Sequence, residues 1–157
     1  MSGGTAVGEL DWLLEQLTSN TGGVRSAVIL SPDGLPLGRS PGLTADAADH
    51  LAALAAGAQS LADGVSARYG CGPVTQTIIE MENALLFIVP AGRGTCLALL
   101  AEAAANAEQI AYEMAVLVKR VGQHMIADPR FPVHDPNRPQ GPLGSHGPHG
   151  PHGPAAR

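Results

Sequence analysis

Leu10, Leu13, Leu14 and Leu17 fall at the i, i+3, i+4, i+7 spacing that gathers apolar side chains on one stripe of a helix. Glu9, Asp11 and Glu15 lie toward its N-terminal end, where the helix dipole favours acids, and Asn20-Thr21-Gly22-Gly23 stops it. The next segment, Val24 to Leu30, ends in the unbroken apolar run Ala27-Val28-Ile29-Leu30. Ser31-Pro32-Asp33-Gly34 then places Pro and Gly where a tight turn with a following bulge wants them. The pattern predicts a hairpin whose second strand, Leu35 to Ser40, contains Pro36 and therefore suits a sheet edge.

Thr44 is a good N-cap for an Ala-rich, Pro-free helix running to Arg68. Its larger apolar residues, Leu51, Leu54, Leu61 and Val65, with Ala58 between them, alternate at spacings of three and four, as in a coiled-coil seam. Two arrangements fit that spacing: the stripe lies on the chain's own sheet, or it meets a copy of itself. The small Ala neighbours, which permit close helix approach, favour the second.

Three strands follow, Val74 to Met81, Leu85 to Val89 and Thr95 to Ala101, separated by Glu82-Asn83 and by a Pro90 to Gly94 loop, which predicts an antiparallel meander. Leu85–Val89, Cys96–Ala101 and Ala27–Leu30 are apolar on both alternating faces, so they are expected inside the sheet with helices covering both sides. Val74–Met81 instead sets Gln76 and Glu80 against Thr75, Thr77, Ile79 and Met81, the mark of a strand nearer an edge. A last helix, from about Ala104 to Met125, carries Ile110, Met114, Leu117, Val118, Val121 and Met125 on one stripe. The predicted order is helix, two strands, helix, three strands, helix.

Composition divides the chain into a flexible start at 1–8, one domain at 9–126 and a Pro/Gly/His-rich tail at 127–157, which is expected to be disordered because nothing in it can build a core. Within the tail the triplet His-Gly-Pro repeats three times from His146. A polyproline II conformation would bring His146, His149 and His152 onto one face as weak candidate metal ligands. The entropy lost in gathering them favours adventitious affinity over a resident ion.

Charge then removes several function classes. Nine Lys and Arg against 14 Asp and Glu leave a net charge of −5, the wrong sign for a binder of nucleic-acid backbones. Trp12, Tyr69, Phe87, Tyr112 and Phe131 are scattered and form no stacking platform for single strands. Lys119 is the only Lys, which excludes a Walker A phosphate loop and Schiff-base chemistry. Cys71 and Cys96 form no CxxC, the N-terminus has no basic segment leading into an apolar run, and Pro90 to Gly94 interrupts the most apolar stretch. These features point to a cytoplasmic chain without direct membrane insertion.

Three blocks resemble the roadblock family in its bacterial single-domain form: the hairpin Val28-Ile29-Leu30-Ser31-Pro32-Asp33-Gly34-Leu35, the stretch Gln76-Thr77-Ile78-Ile79-Glu80-Met81-Glu82 with Leu86-Phe87-Ile88, and the helix Tyr112-Glu113-Met114-Ala115 running to Arg120-Val121-Gly122. The resemblance covers residues 10–126 and implies an α+β, profilin-like fold. In it, a five-stranded antiparallel sheet carries the middle helix on one face and the terminal helices on the other. It implies a homodimer formed by pairing middle helices and third strands, with Leu51, Leu54, Ala58, Leu61, Val65, Thr75 and Thr77 at the interface. It implies further a non-enzymatic regulator or scaffold of a Ras-like small GTPase, without a cofactor. The operon type it resembles adds a sensor-kinase-like membrane protein as a partner, through which the chain would be recruited to a membrane. The alternative is a docking module for that protein without direct GTPase regulation.

The remaining chemistry is sparse. His50 and His124 lie on predicted helices, and His50, beside Asp46 and Asp49, reads as a surface or seam histidine. Cys96 sits in an apolar strand as a small hydrophobe, and Cys71, between two glycines, has no basic neighbour closer than Arg68 to lower its pKa. Arg93 is a lone cation on a Gly-flanked turn, where an arginine finger would stand. It is expected to be a solvated loop charge, kept as a candidate partner contact, since the family's bacterial GTPase activators reposition the GTPase's own residues.

Overall fold

The computed structural model describes residues 6–127. The first helix, α1 (Ala6–Asn20), begins inside the segment expected to precede the fold. Strand β1 (Val24–Leu30) turns back into β2 (Pro36–Arg39). In the turn the Ser31 N–H donates to the Leu35 carbonyl, while Gly34, at φ +79°, donates its N–H to the Ser31 carbonyl at 2.9 Å. The second strand is shorter than the expected Leu35–Ser40, but Ser40 still exchanges two bonds with Ala27, through its N–H and its Oγ, each at 2.9 Å.

Helix α2 (Ala45–Tyr69) starts where Thr44 Oγ1 accepts the Ala47 N–H at 3.1 Å and ends on Gly70 in the left-handed conformation. The three strands after it are β3 (Thr77–Glu80), β4 (Ala84–Gly92) and β5 (Thr95–Glu102). The last helix, α3 (Ala107–Ala127), opens at Asn106, whose Oδ1 accepts the Gln109 N–H at 3.1 Å. That cap places its start later than Ala104.

All neighbouring strands are antiparallel, in the order β2-β1-β5-β4-β3. The strands read as apolar on both faces, β1, β5 and β4, are the three inner ones. On one face Leu10, Leu14 and Leu17 of α1 and Ile110, Met114 and Val121 of α3 cover Ile29, Phe87, Leu97 and Leu99. On the other, Ala52 and Ala55 of α2 cover Val28, Leu30, Ile88, Cys96 and Ala98. The fold is therefore a five-stranded antiparallel α+β sheet with the middle helix opposite the terminal two.

Two boundaries differ from the pattern, and Pro90 bears on both. Val74–Met81 shortens to Thr77–Glu80, leaving Thr75 in the connection before the strand. Thr77 pairs with Ile88, so an extended β3 would set Thr75 against Pro90, which has no N–H to give. The expected loop at Pro90–Gly94 is mostly strand. Pro90 pairs with Cys96 of β5, and because β3 has already ended, its other side lies at an edge where Pro is tolerated. Only Arg93 and Gly94 form the turn, at φ +55° and +76°, as a two-residue hairpin with both central residues left-handed requires.

A candidate interface on the middle helix and the sheet edge

Helix α2 is amphipathic in an unusual sense. Its sheet-facing stripe is alanine, with Ala48, Ala52 and Ala55 fully buried. Its large apolar residues point the other way: Leu54 is 69% exposed and Leu61 76%, and Val65 is exposed beside them. Leu51 and Ala58, the other two seam positions, are half-buried against the margin of the small core beneath the helix. The seam is thus split, two residues leaning on the chain's own sheet and three facing away from it.

The two edges of the sheet are chemically unlike. At β2, Pro36 has no N–H, and the Arg39 N–H is taken by Asp11 Oδ1 of α1 at 2.8 Å. Helix α1 also presses on the strand closely enough that a Cβ at Gly38 would stand 2.8 Å from that of Leu10. At the opposite edge β3 pairs only with β4 among the described residues. There Ile78, Ile79 and Met81 are all exposed. Thr77 and Ile79, opposite Ile88 and Leu86, share the sheet face that α2 packs on, and α2 touches β3.

Thr77 opens this edge strand with a buried Oγ1 that has no hydrogen-bond partner, and Gln59 Oε1 on α2 is likewise buried and unmatched. Gln59 Nε2 donates to Asp63 Oδ1 at 3.1 Å. Thr75 is exposed two residues before the strand and does not join the row. Ile78, Ile79 and Met81 were not singled out as interface residues. The signal was present, because consecutive isoleucines on an edge strand point to opposite faces and cannot both enter one core.

Arg93 is remote from this surface in kind: it holds the left-handed turn at the tip of β4–β5, and Gly94 beside it abuts Pro32 of the β1–β2 turn, where a Cβ would stand 2.7 Å from Pro32 Cγ. His50 is exposed near the start of α2. Cys71 is exposed and Cys96 buried. Burial, and secondarily the negative charge of Asp63, push the Cys96 thiol above its ordinary pKa, which keeps it neutral. No group of three His, Cys, Asp or Glu among the described residues converges on a metal site, and no described helix is long and apolar enough to cross a membrane. His146, His149 and His152, with the rest of the tail, lie outside the described residues.

A family model described as the Roadblock/LC7 domain matches residues 10–101. Among solved structures, a Roadblock/LC7 domain from Streptomyces avermitilis is 46% identical with a TM-score of 0.72, the alignment covering 74% of this chain and 98% of that one. The gliding protein MglB from Thermus thermophilus is 19% identical with a TM-score of 0.68, covering 79% of this chain and 93% of that one. Profilin IA from Acanthamoeba castellanii is 18% identical with a TM-score of 0.50, covering 72% and 96%, and these two share the fold. No curated protein matches the chain.

Proposed function

The chain belongs to the Roadblock/LC7 family, and from that membership we propose that it acts as a homodimeric scaffold that binds and regulates a Ras-like small GTPase. Domains of this family are non-catalytic scaffolds with a link to GTPase-regulatory complexes. The observation that carries the dimer is the contrast between the two sheet edges. The β2 edge is closed by Asp11 and Pro36, whereas β3 is open beside three outward-facing apolar residues of α2. Pairing two copies of β3 about a two-fold axis would continue the sheet into a second protomer and bring the two α2 helices together, giving each exposed leucine an apolar partner.

In this reading the GTPase contributes all the nucleotide chemistry, and the dimer changes its cycle by holding one conformation of its mobile loops. The same dimer could serve a sensor-kinase-like protein, but no feature of the described residues favours that partner over the GTPase. The test is direct binding of the full chain to Ras-like GTPases from the same genome, loaded in turn with GDP and with a non-hydrolysable GTP analogue. Binding in the micromolar range with a preference between the two states supports the reading. No binding at tens of micromolar in either state removes it.

A further inference from the structure

Helices α1 and α3 cover the sheet face opposite α2, and the seam between them is open. At one end a cavity of about 510 Å³ is lined by Glu9, Trp12 and Leu13 of α1 and by Arg120 and Gln123 of α3. Toward the other, a cavity of about 120 Å³ lies between Gln16 and Asn20 of α1 and Glu113 and Val116 of α3. Leu13 and Arg120 line both, so the two form one groove, which the Arg120 side chain crosses by donating from Nη1 to Gln16 Oε1 at 3.3 Å. From Glu113 to Gln123 the groove runs about 15 Å at the helical rise.

Residues 9–126 hold the aromatics Trp12, Tyr69, Phe87 and Tyr112, and two of them stand exposed along this groove. Trp12 is 54% exposed at the end where α3 finishes, and Tyr112, one turn before Val116, is 67% exposed near the other. Aromatic rings spaced along a shallow groove are what a polyproline II segment recognises, because proline rings pack on aromatic faces and the extended helix is ordered before it binds.

We propose that the tail of this same chain fills the groove, with Pro136, Pro139 and Pro142 seated between Trp12 and Tyr112. The occupant follows from where the chain leaves the fold. Helix α3 ends at Ala127, one turn past the Gln123 that lines the open end, and residues 128–157 continue from there. Pro129 and Pro132 come too soon after the helix to run back along it. Residues 128–135 reach up to about 25 Å when extended, which is enough to reverse direction at the end of α3. Pro136, Pro139 and Pro142 then recur at the three-residue period of polyproline II, share one face and cover about 19 Å, slightly more than the length of the groove. Arg138 lies between the first two, and Glu9 and Glu113 line the groove toward its two ends. The short connection holds the segment at a high effective concentration, so weak contacts suffice to keep the groove filled.

Trp12 is the only Trp in the chain, so the intrinsic fluorescence of the full chain reports on this groove alone. Pro136→Ala, Pro139→Ala and Pro142→Ala combined should move the emission of Trp12 to longer wavelength and raise its quenching by acrylamide about twofold, as the ring is released to solvent. Pro148→Ala, Pro151→Ala and Pro154→Ala combined remove as many prolines and should change neither. A synthetic peptide of residues 134–143, added to the first variant, should restore the wild-type emission. The wild-type signal should be independent of protein concentration, as docking within one molecule requires.

Wild-type emission and quenching in the first variant overturn the proposal. A change confined to the second variant assigns the groove to the His-Gly-Pro run and overturns the segment named here, and equal changes in both reduce the effect to proline content and overturn it as well. Protection of Trp12 that disappears on dilution shows that the tail comes from another molecule, and overturns the intramolecular docking.

Discussion

Asp11 and Arg39 are joined by a hydrogen bond in which the Arg39 backbone N–H donates to Asp11 Oδ1 at 2.8 Å, across 28 positions of sequence. A helix side chain thereby occupies the outward backbone donor of an edge strand. The contact ties α1 to the sheet and removes a position at which another strand would add. Asp11→Ala should therefore destabilise the protomer by about 0.5–1.5 kcal/mol, the net contribution of a hydrogen bond whose freed donor, on an exposed strand edge, can turn to water. Asp11→Asn, which keeps an acceptor oxygen, should recover most of that in urea denaturation. Equal losses for the two variants would show that the carboxylate charge, and not the bond, is what matters.

The same corner makes a steric prediction. Gly38→Ala places a methyl carbon 2.8 Å from Leu10 Cβ and 3.4 Å from the Leu10 carbonyl carbon. Neither atom is the end of a flexible chain, so α1 must move. A loss of roughly 1–3 kcal/mol is expected, the range for overpacking a filled site. Because α1 also carries Asp11, the Asp11→Ala and Gly38→Ala effects should add to less than their sum in a double-mutant cycle.

Much of the architecture was legible because it follows from period and punctuation. Leu10 to Leu17, the two-faced runs at Ala27 and Leu85, and the Thr44 cap each depend on neighbours within a few residues. What escaped depends on the partner of a segment. Helical spacing reveals stripes but not which stripe meets the sheet, and in α2 the alanines at 48, 52 and 55 take that role while the leucines face out. The end of β3 depends on Pro90 across the ladder, and the Asp11 contact leaves no periodic trace at all. Thr75 falls outside β3 for the same reason, since alternation continues in the sequence past the point at which the strand has a partner.

Leu61→Glu should convert the chain to a folded monomer. The side chain is 76% exposed in the protomer, so the new carboxylate remains hydrated and the protomer's own core loses nothing. In the proposed dimer the change occurs twice, each copy losing the burial of a leucine, about 1.5–3 kcal/mol, and gaining a charge to desolvate. The dissociation constant should rise by roughly two orders of magnitude or more, with far-ultraviolet circular dichroism unchanged. Loss of the folded signal would place Leu61 in the protomer's core, against its exposure.

The two cysteines should separate cleanly under alkylation. Cys71 is exposed and should react with iodoacetamide in the native protein, while Cys96, buried and held neutral, should react only after unfolding. Linkage sets the sign of the pH effect. A thiol whose folded pKa is raised contributes nothing against folding while both states are protonated. As pH climbs through the unfolded thiol's titration, the unfolded state ionises first and stability falls. Cys96→Ala should flatten that alkaline decline, measured as the urea midpoint between neutral pH and the thiol range, whereas Cys71→Ala should leave it in place.

Arg93 decides between two ways of assisting a GTPase. A finger inserted into the nucleotide site neutralises transition-state charge and contributes on the order of 10³ to 10⁵ in rate, so its removal is unmistakable. The geometry here favours a scaffold role, because Arg93 sits at φ +55° in a two-residue turn whose neighbour Gly94 is lodged against Pro32. Such a tip is anchored by its base and offers little length for insertion. Stimulation of single-turnover GTP hydrolysis by the dimer should therefore survive Arg93→Ala within about threefold, an effect of about 0.65 kcal/mol. It should be lost with Leu61→Glu, which takes the dimer apart. A thousandfold drop for Arg93→Ala with binding retained would assign the chemistry to this arginine and reverse the division of labour between the two proteins.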